Sequence, residues 1–148
     1  MIAFTDMWLG ALKARAVRRK VGIDIFNIKL IHCNFMYADR IDSYRQIEQA
    51  RGAKLLVFAT SNRDGVPTQI ASDILPFFTE HLDVISYAEK ISLLLITNGG
   101  DTMTAWNLVN LIKSFCSNFE VIVPFNCFSA GTLICLGANN IVMTKQAT

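Results

Sequence analysis

Two hydrophobic periods alternate along the chain from residue 55 onward. Short unbroken apolar runs, LLVFA at 55–59, SLLLIT at 92–97, VIVP at 121–124 and IVM at 141–143, have the length of strands and are rich in branched side chains. Runs without polar alternation suit strands covered on both faces. Between them, residues 69–88, 102–116 and 129–136 are each long enough for a crossover helix. In the second, Ala105, Leu108, Val109, Ile112, Phe115 and Cys116 recur at helical spacing, while Asn107, Asn110, Lys113 and Ser114 fall mostly elsewhere. The order β-α-β-α-β-α-β predicts an α/β fold over residues 41–148, with a mostly parallel sheet, right-handed crossovers and helices on its faces. The segment SNRDGVP at 61–67 reads as a turn-rich loop. Residues 1–40 fit the alternation poorly, with room for one strand within 21–36, and read as an N-terminal extension.

That extension is partly helical and basic. Met7, Trp8, Leu9, Leu12, Ala16 and Val17 share one broad helix face opposite Lys13, Arg15, Arg18, Arg19 and Lys20. Its apolar stretch precedes its charges, the reverse of a secretory signal. A packing helix with a solvated basic face is the simpler reading, and a helix lying on an anionic membrane surface is the alternative. No window has the run of apolar residues that a membrane span needs.

Composition adds boundaries more than content. The chain has 148 residues, enough for one core, and 14 Lys+Arg against 12 Asp+Glu give a net charge of +2, which argues against a nucleic-acid partner. Cys33, Cys116, Cys127 and Cys135 show neither a CxxC pair nor finger spacing with His32 and His81. They read as reduced, mostly buried thiols in a cytoplasmic protein, and neither a metal nor another cofactor is expected.

Ligands of parallel sheets meet the carboxyl ends of the strands, so the loops after residues 97 and 124 are where chemistry is sought. The first is Thr97-Asn98-Gly99-Gly100-Asp101-Thr102. Paired glycines beside a helix N-terminus can turn amides towards an anion, although alone the segment reads more simply as a tight turn with Asp101 or Thr102 as N-cap. The second is Cys127-Phe128-Ser129-Ala130-Gly131-Thr132. A serine opening a helix with small neighbours is a candidate nucleophile, yet the GxSxG elbow is only half met because Cys127 stands at its first glycine. An ordinary N-cap is the simpler reading of Ser129 alone. Adjacent parallel strands strengthen both readings, because they bring the amides of Gly99 and Gly100 beside the Ser129 hydroxyl.

The stretches TNGGDTMTAWNLVNLIKSF and FEVIVPFNCFSAGTLICLGANNIVMTKQAT closely resemble the Clp-protease/crotonase superfold. Within it, they resemble the serine peptidases called serine dehydrogenase proteinases, relatives of signal peptide peptidase A. The resemblance extends more weakly upstream through YRQIEQARGAKLLVFAT and TQIASDILPFFTEHL. It implies a ClpP/crotonase-like domain, a hydrolase that cleaves a peptide or protein substrate through an acyl-enzyme on Ser129. Gly99, Gly100 and Ala130 would supply the oxyanion hole, no cofactor would take part, and a homo-oligomer is implied.

The general base is where the chain departs from the pattern. Clp-type peptidases use a histidine, and signal-peptide-peptidase relatives a lysine, farther beyond the serine than Thr148 lies from Ser129. His32 and His81 precede Ser129 and Lys145 follows it too closely, so the base is expected beyond the given chain, which resembles an amino-terminal portion. Two other classes compete: a non-catalytic assembly module on the same superfold, and a crotonase-type enzyme acting on an acyl-CoA thioester. Trp106 reads as a core or interface residue.

Overall fold

The computed structural model describes residues 40–63 and 65–148, and for residues 62, 63 and 66 the backbone alone. Helix α1 (residues 40–51) comes first and leads into strand β1 (Lys54–Ala59). A short antiparallel pair, β2 (Asn62–Arg63) and β3 (Val66–Pro67), lies inside the segment read as a plain loop. Then follow α2 (Ile74–Ile85), β4 (Ala88–Ile96), α3 (Thr102–Ser114), β5 (Cys116–Val123), α4 (Ala130–Gly137) and β6 (Asn140–Met143). The four long strands form one sheet in the order β1-β4-β5-β6, each neighbouring pair parallel. The α/β reading and its parallel sheet therefore hold.

Helix α1 lies outside the alternation of apolar runs, although it carries a stripe. Ile41, Tyr44, Ile47, Glu48 and Arg51 recur at helical spacing and are its partly buried positions. Gly52, at φ 58°, ends it: the amides of Gly52 and Ala53 return to the carbonyls of Gln49 and Glu48, the paired bonds of a left-handed glycine cap. The Glu48 side chain then accepts the Leu55 N–H at 2.9 Å and so joins the helix to β1.

Each crossover from β1 to β6 moves one strand in the same direction. Connections of constant hand then return every helix to the same side of the sheet. Accordingly Ile74, Phe78 and Leu82 of α2, Leu108 and Ile112 of α3, and Ile134 of α4 share one core with Phe58, Leu93, Leu95, Phe119, Val121 and Val123. Phe58 and Phe78 meet edge to face with centroids 5.6 Å apart. Helices α2, α3 and α4 thus cover one face, while α1 reaches the other through Arg51, which binds Glu120. The other face carries Ser92 and Glu120, which a period-two alternation places opposite Leu93 and Val121.

Within the helical segments 69–88 and 102–116 the helices are shorter: α2 starts only at Ile74 and stops at Ile85, Ser86 turns with φ 60°, and Ala88 pairs with Cys116 as the first rung of β4 and β5. Among the described residues no helix is long and apolar enough to cross a membrane. The basic helix face, the strand within 21–36, His32 and Cys33 lie outside the described residues.

Candidate active site

The two glycine-bearing and serine-bearing loops meet at the carboxyl ends of β4 and β5. Parallel pairing continues one step past each strand, with the Thr97 N–H donating to the Asn126 carbonyl at 3.0 Å and the Phe128 N–H to the Thr97 carbonyl at 3.0 Å. On the other side, Gly100 bridges to Ile70: the Ile70 N–H donates to the Gly99 carbonyl at 2.9 Å and the Asp101 N–H to the Ile70 carbonyl at 2.8 Å. The glycine loop is therefore clamped between the segment before α2 and the segment before α4. Asn126 adds a side-chain clamp, donating to the Asn98 side-chain oxygen at 2.6 Å.

Both glycines are required by this approach. At Gly99, φ 109°, an added Cβ would fall 2.6 Å from the Ser129 Cβ and 3.1 Å from its Oγ. At Gly100, φ 147°, it would fall 2.2 Å from the Ile70 carbonyl oxygen. Gly131 is needed for a different reason, since a Cβ there would strike the Thr97 methyl at 2.4 Å and Cys127 Sγ at 2.8 Å, where α4 seats against the strand ends.

Ser129 has φ 52° and ψ −120°, positive for a non-glycine residue, and its side chain caps nothing. Ser129 thus holds the N-cap position of α4 without making the capping bond. Its hydroxyl is exposed and has no hydrogen-bond partner among the described residues. Such a conformation costs on the order of 1–3 kcal/mol, and a strained strand-to-helix turn is how a nucleophile elbow presents its serine.

The surrounding amides divide. The Gly99 N–H donates to the Thr97 hydroxyl at 3.0 Å, and that hydroxyl also accepts from Thr60 at 3.0 Å. The Gly99 amide, expected to face a substrate, is thus engaged within the loop. The amides of Gly100 and Ala130 have no partner among the described residues. Asp101 is the N-cap of α3: its carboxylate accepts the Thr104 N–H at 2.7 Å and the Thr104 hydroxyl at 2.5 Å, which together hold its pKa below the ordinary value. His81 lies partly buried on α2 and Lys145 is exposed beyond β6; neither hydrogen-bonds Ser129. Trp106 is 61% exposed on α3, so its core reading is corrected.

The sequence reading missed a second polar constellation. Glu120 of β5, 1% exposed, accepts from Arg51 Nε at 2.9 Å, from Arg51 Nη2, from Lys90 Nζ at 3.0 Å and from Ser92 Oγ at 2.9 Å. The Arg51 guanidinium, aided by Lys90 and Ser92, outweighs burial and holds the carboxyl down to about 2. A lone acid inside the apolar run FEVIVP is the signal that pointed to it.

No protein-family model and no solved structure matches the chain. It is similar to the uncharacterized protein MJ1495 of Methanocaldococcus jannaschii, 28% identical over 142 residues that cover 84% of this chain and 48% of that protein. The chain thus spans about half the length of the relative it matches.

Proposed function

We propose that the chain carries the nucleophile of a serine peptidase of ClpP/crotonase-like fold, with Ser129 attacking the scissile carbonyl. The observation that carries this reading is the meeting of a strained, exposed, uncapped serine with two unpartnered amides, those of Gly100 and Ala130. Ser129 Oγ bonds to the carbonyl carbon, the carbonyl oxygen becomes an oxyanion received by the two amides, and collapse expels the amine to leave an acyl-enzyme that water hydrolyses. Gly99 takes no part as donor; its lack of a side chain lets the loop approach Ser129. The group that removes the Ser129 proton is assigned to none of the described residues. Exposed Trp106, Leu136 and Met143 favour the homo-oligomer, which light scattering checks.

The test is a fluorophosphonate probe, which phosphonylates an activated serine hydroxyl. Labelling of the wild type that is lost in Ser129→Ala supports the reading. Equal labelling of both proteins, or none of a folded wild type that carries its general base, removes it. The crotonase-type alternative needs the two amides but not the serine, so an acyl-CoA reaction surviving in Ser129→Ala would favour that class.

A further inference from the structure

Beneath the serine turn lie two thiols that the proposed chemistry does not use. Cys127 ends the extended pairing of β5, Cys135 lies on the last turns of α4, both are buried and free, and their sulfurs stand 3.5 Å apart. Ser129 lies between them in sequence, and Gly131 leaves the space that Cys127 Sγ occupies. The third described cysteine, Cys116 on β5, is also buried, but its thiol donates to the Ile112 carbonyl at 3.4 Å and bonds to no sulfur among the described residues.

We propose that Cys127 and Cys135 form a redox-active dithiol, oxidised by a hydroperoxide to an intramolecular disulfide that ties the residue before the serine turn to helix α4. Sulfurs at this separation need to approach by about 1.5 Å to reach the disulfide length of about 2.05 Å. The thiols differ in readiness. The hydrogen bond between the two sulfurs, in which either can donate, lowers the pKa of Cys135, whereas that bond and burial raise the pKa of Cys127. Cys135 is therefore the thiol that gives up its proton first.

In the first step Cys135 gives up its proton and its sulfur attacks the peroxide oxygen; the O–O bond breaks, Cys135 becomes a sulfenic acid, and the departing oxygen takes the proton and leaves as the alcohol, or as water from hydrogen peroxide. In the second, Cys127 Sγ attacks the sulfenic sulfur. The S–S bond forms, the S–O bond breaks, and the hydroxide takes the Cys127 proton as water. Two thiols and one peroxide thus give one disulfide, one alcohol and one water, with the two electrons passing from the sulfurs to the peroxide bond.

The pairing is independent of what Ser129 does, so its test needs no activity. The wild-type chain is treated with hydrogen peroxide, alkylated under denaturing conditions, cut with chymotrypsin, which cleaves after Phe128, and mapped by mass spectrometry. The expected result is a pair of peptides joined through Cys127 and Cys135, lighter by about 2 Da than the two thiols and separated by a dithiol reductant. The link vanishes in Cys135→Ala and in Cys127→Ala and persists in Cys116→Ala. A main product linked through Cys33 or Cys116, sulfinic acid at a single cysteine, or thiols that stay free overturns the proposal.

Discussion

Glu120 and Ser129 sit on the same sheet and are treated in opposite ways. Glu120 lies inside it with donors from Arg51, Lys90 and Ser92 filling its lone pairs. Ser129 lies at the carboxyl ends of the strands, exposed, at positive φ, bonded to no described side chain. A carboxylate so fully received neither gives nor takes a proton near neutrality, so its charge fastens α1 to the open face of the sheet. A serine held at a conformational cost beside two vacant amides contributes nothing of that kind to stability. Satisfied polarity marks where this fold is held, and unsatisfied polarity marks where it can act.

The largest expected effect separates the two regions by reactivity. In the protein with its general base in place, Ser129→Ala reduces the fluorophosphonate labelling rate by about 10,000-fold or more, whereas Glu120→Gln, compared per folded molecule, changes it by less than about threefold because distant sites act independently. Gel fluorescence over a time course, normalised to the folded fraction by circular dichroism, makes the comparison. Loss of labelling in folded Glu120→Gln would break it.

Stability separates them in the other direction. Glu120→Ala leaves two cations facing a partly buried gap and is expected to cost about 3–5 kcal/mol, read as a lower urea midpoint. At the site, Gly100→Ala is expected to cost about 3 kcal/mol, because its Cβ meets the Ile70 backbone, which cannot swing aside. An unchanged midpoint in either variant would remove the stated contact from the account.

Acid sharpens the same contrast. The Glu120 pKa is depressed from 4.5 to about 2. Its contribution, about 3 kcal/mol, is present in full above the unfolded value and is lost as the pH falls from there through about 2. Urea titrations at several pH values should show that loss in the wild type and not in Glu120→Gln. Parallel pH curves for the two proteins would mean that the ion cluster contributes no stability.

How far these regions were legible depends on the range of their contacts. The serine turn was visible because its cause is local: Gly99, Gly100 and Ser129 stand at strand-to-helix junctions, and chain order alone brings those junctions to one edge. Its finer division was not, since capture of the Gly99 amide by the Thr97 hydroxyl depends on one side-chain torsion. Arg51 and Glu120 are 69 residues apart, and no spacing announces such a pair. Glu120 is conspicuous in FEVIVP, but only the register that sets it beside Ser92 shows what it accepts. Helix α1 carries the helical period in Ile41, Tyr44 and Ile47, but it has no unbroken apolar run and the remaining members of its stripe, Glu48 and Arg51, are charged.

The smallest effect bears most directly on whether the serine turn is strained. At φ 52° and ψ −120° any residue with a Cβ is unfavourable, so Ser129→Ala keeps the strain and should leave the urea midpoint almost unchanged. Ser129→Gly relieves it. The relief, on the order of 1–3 kcal/mol, is offset by the added freedom of glycine in the unfolded chain, roughly 0.5–1 kcal/mol. The expected net is a gain of about 1 kcal/mol in a variant that has lost the Ser129 hydroxyl. Substitution thus raises stability at Ser129 and lowers it at Glu120, which is the sign expected when one position is kept for chemistry and the other for the fold. Urea denaturation of wild type, Ser129→Ala and Ser129→Gly at neutral pH measures it. If Ser129→Gly were the least stable of the three, the turn would hold no strain, and the argument from its backbone to a nucleophile would fail.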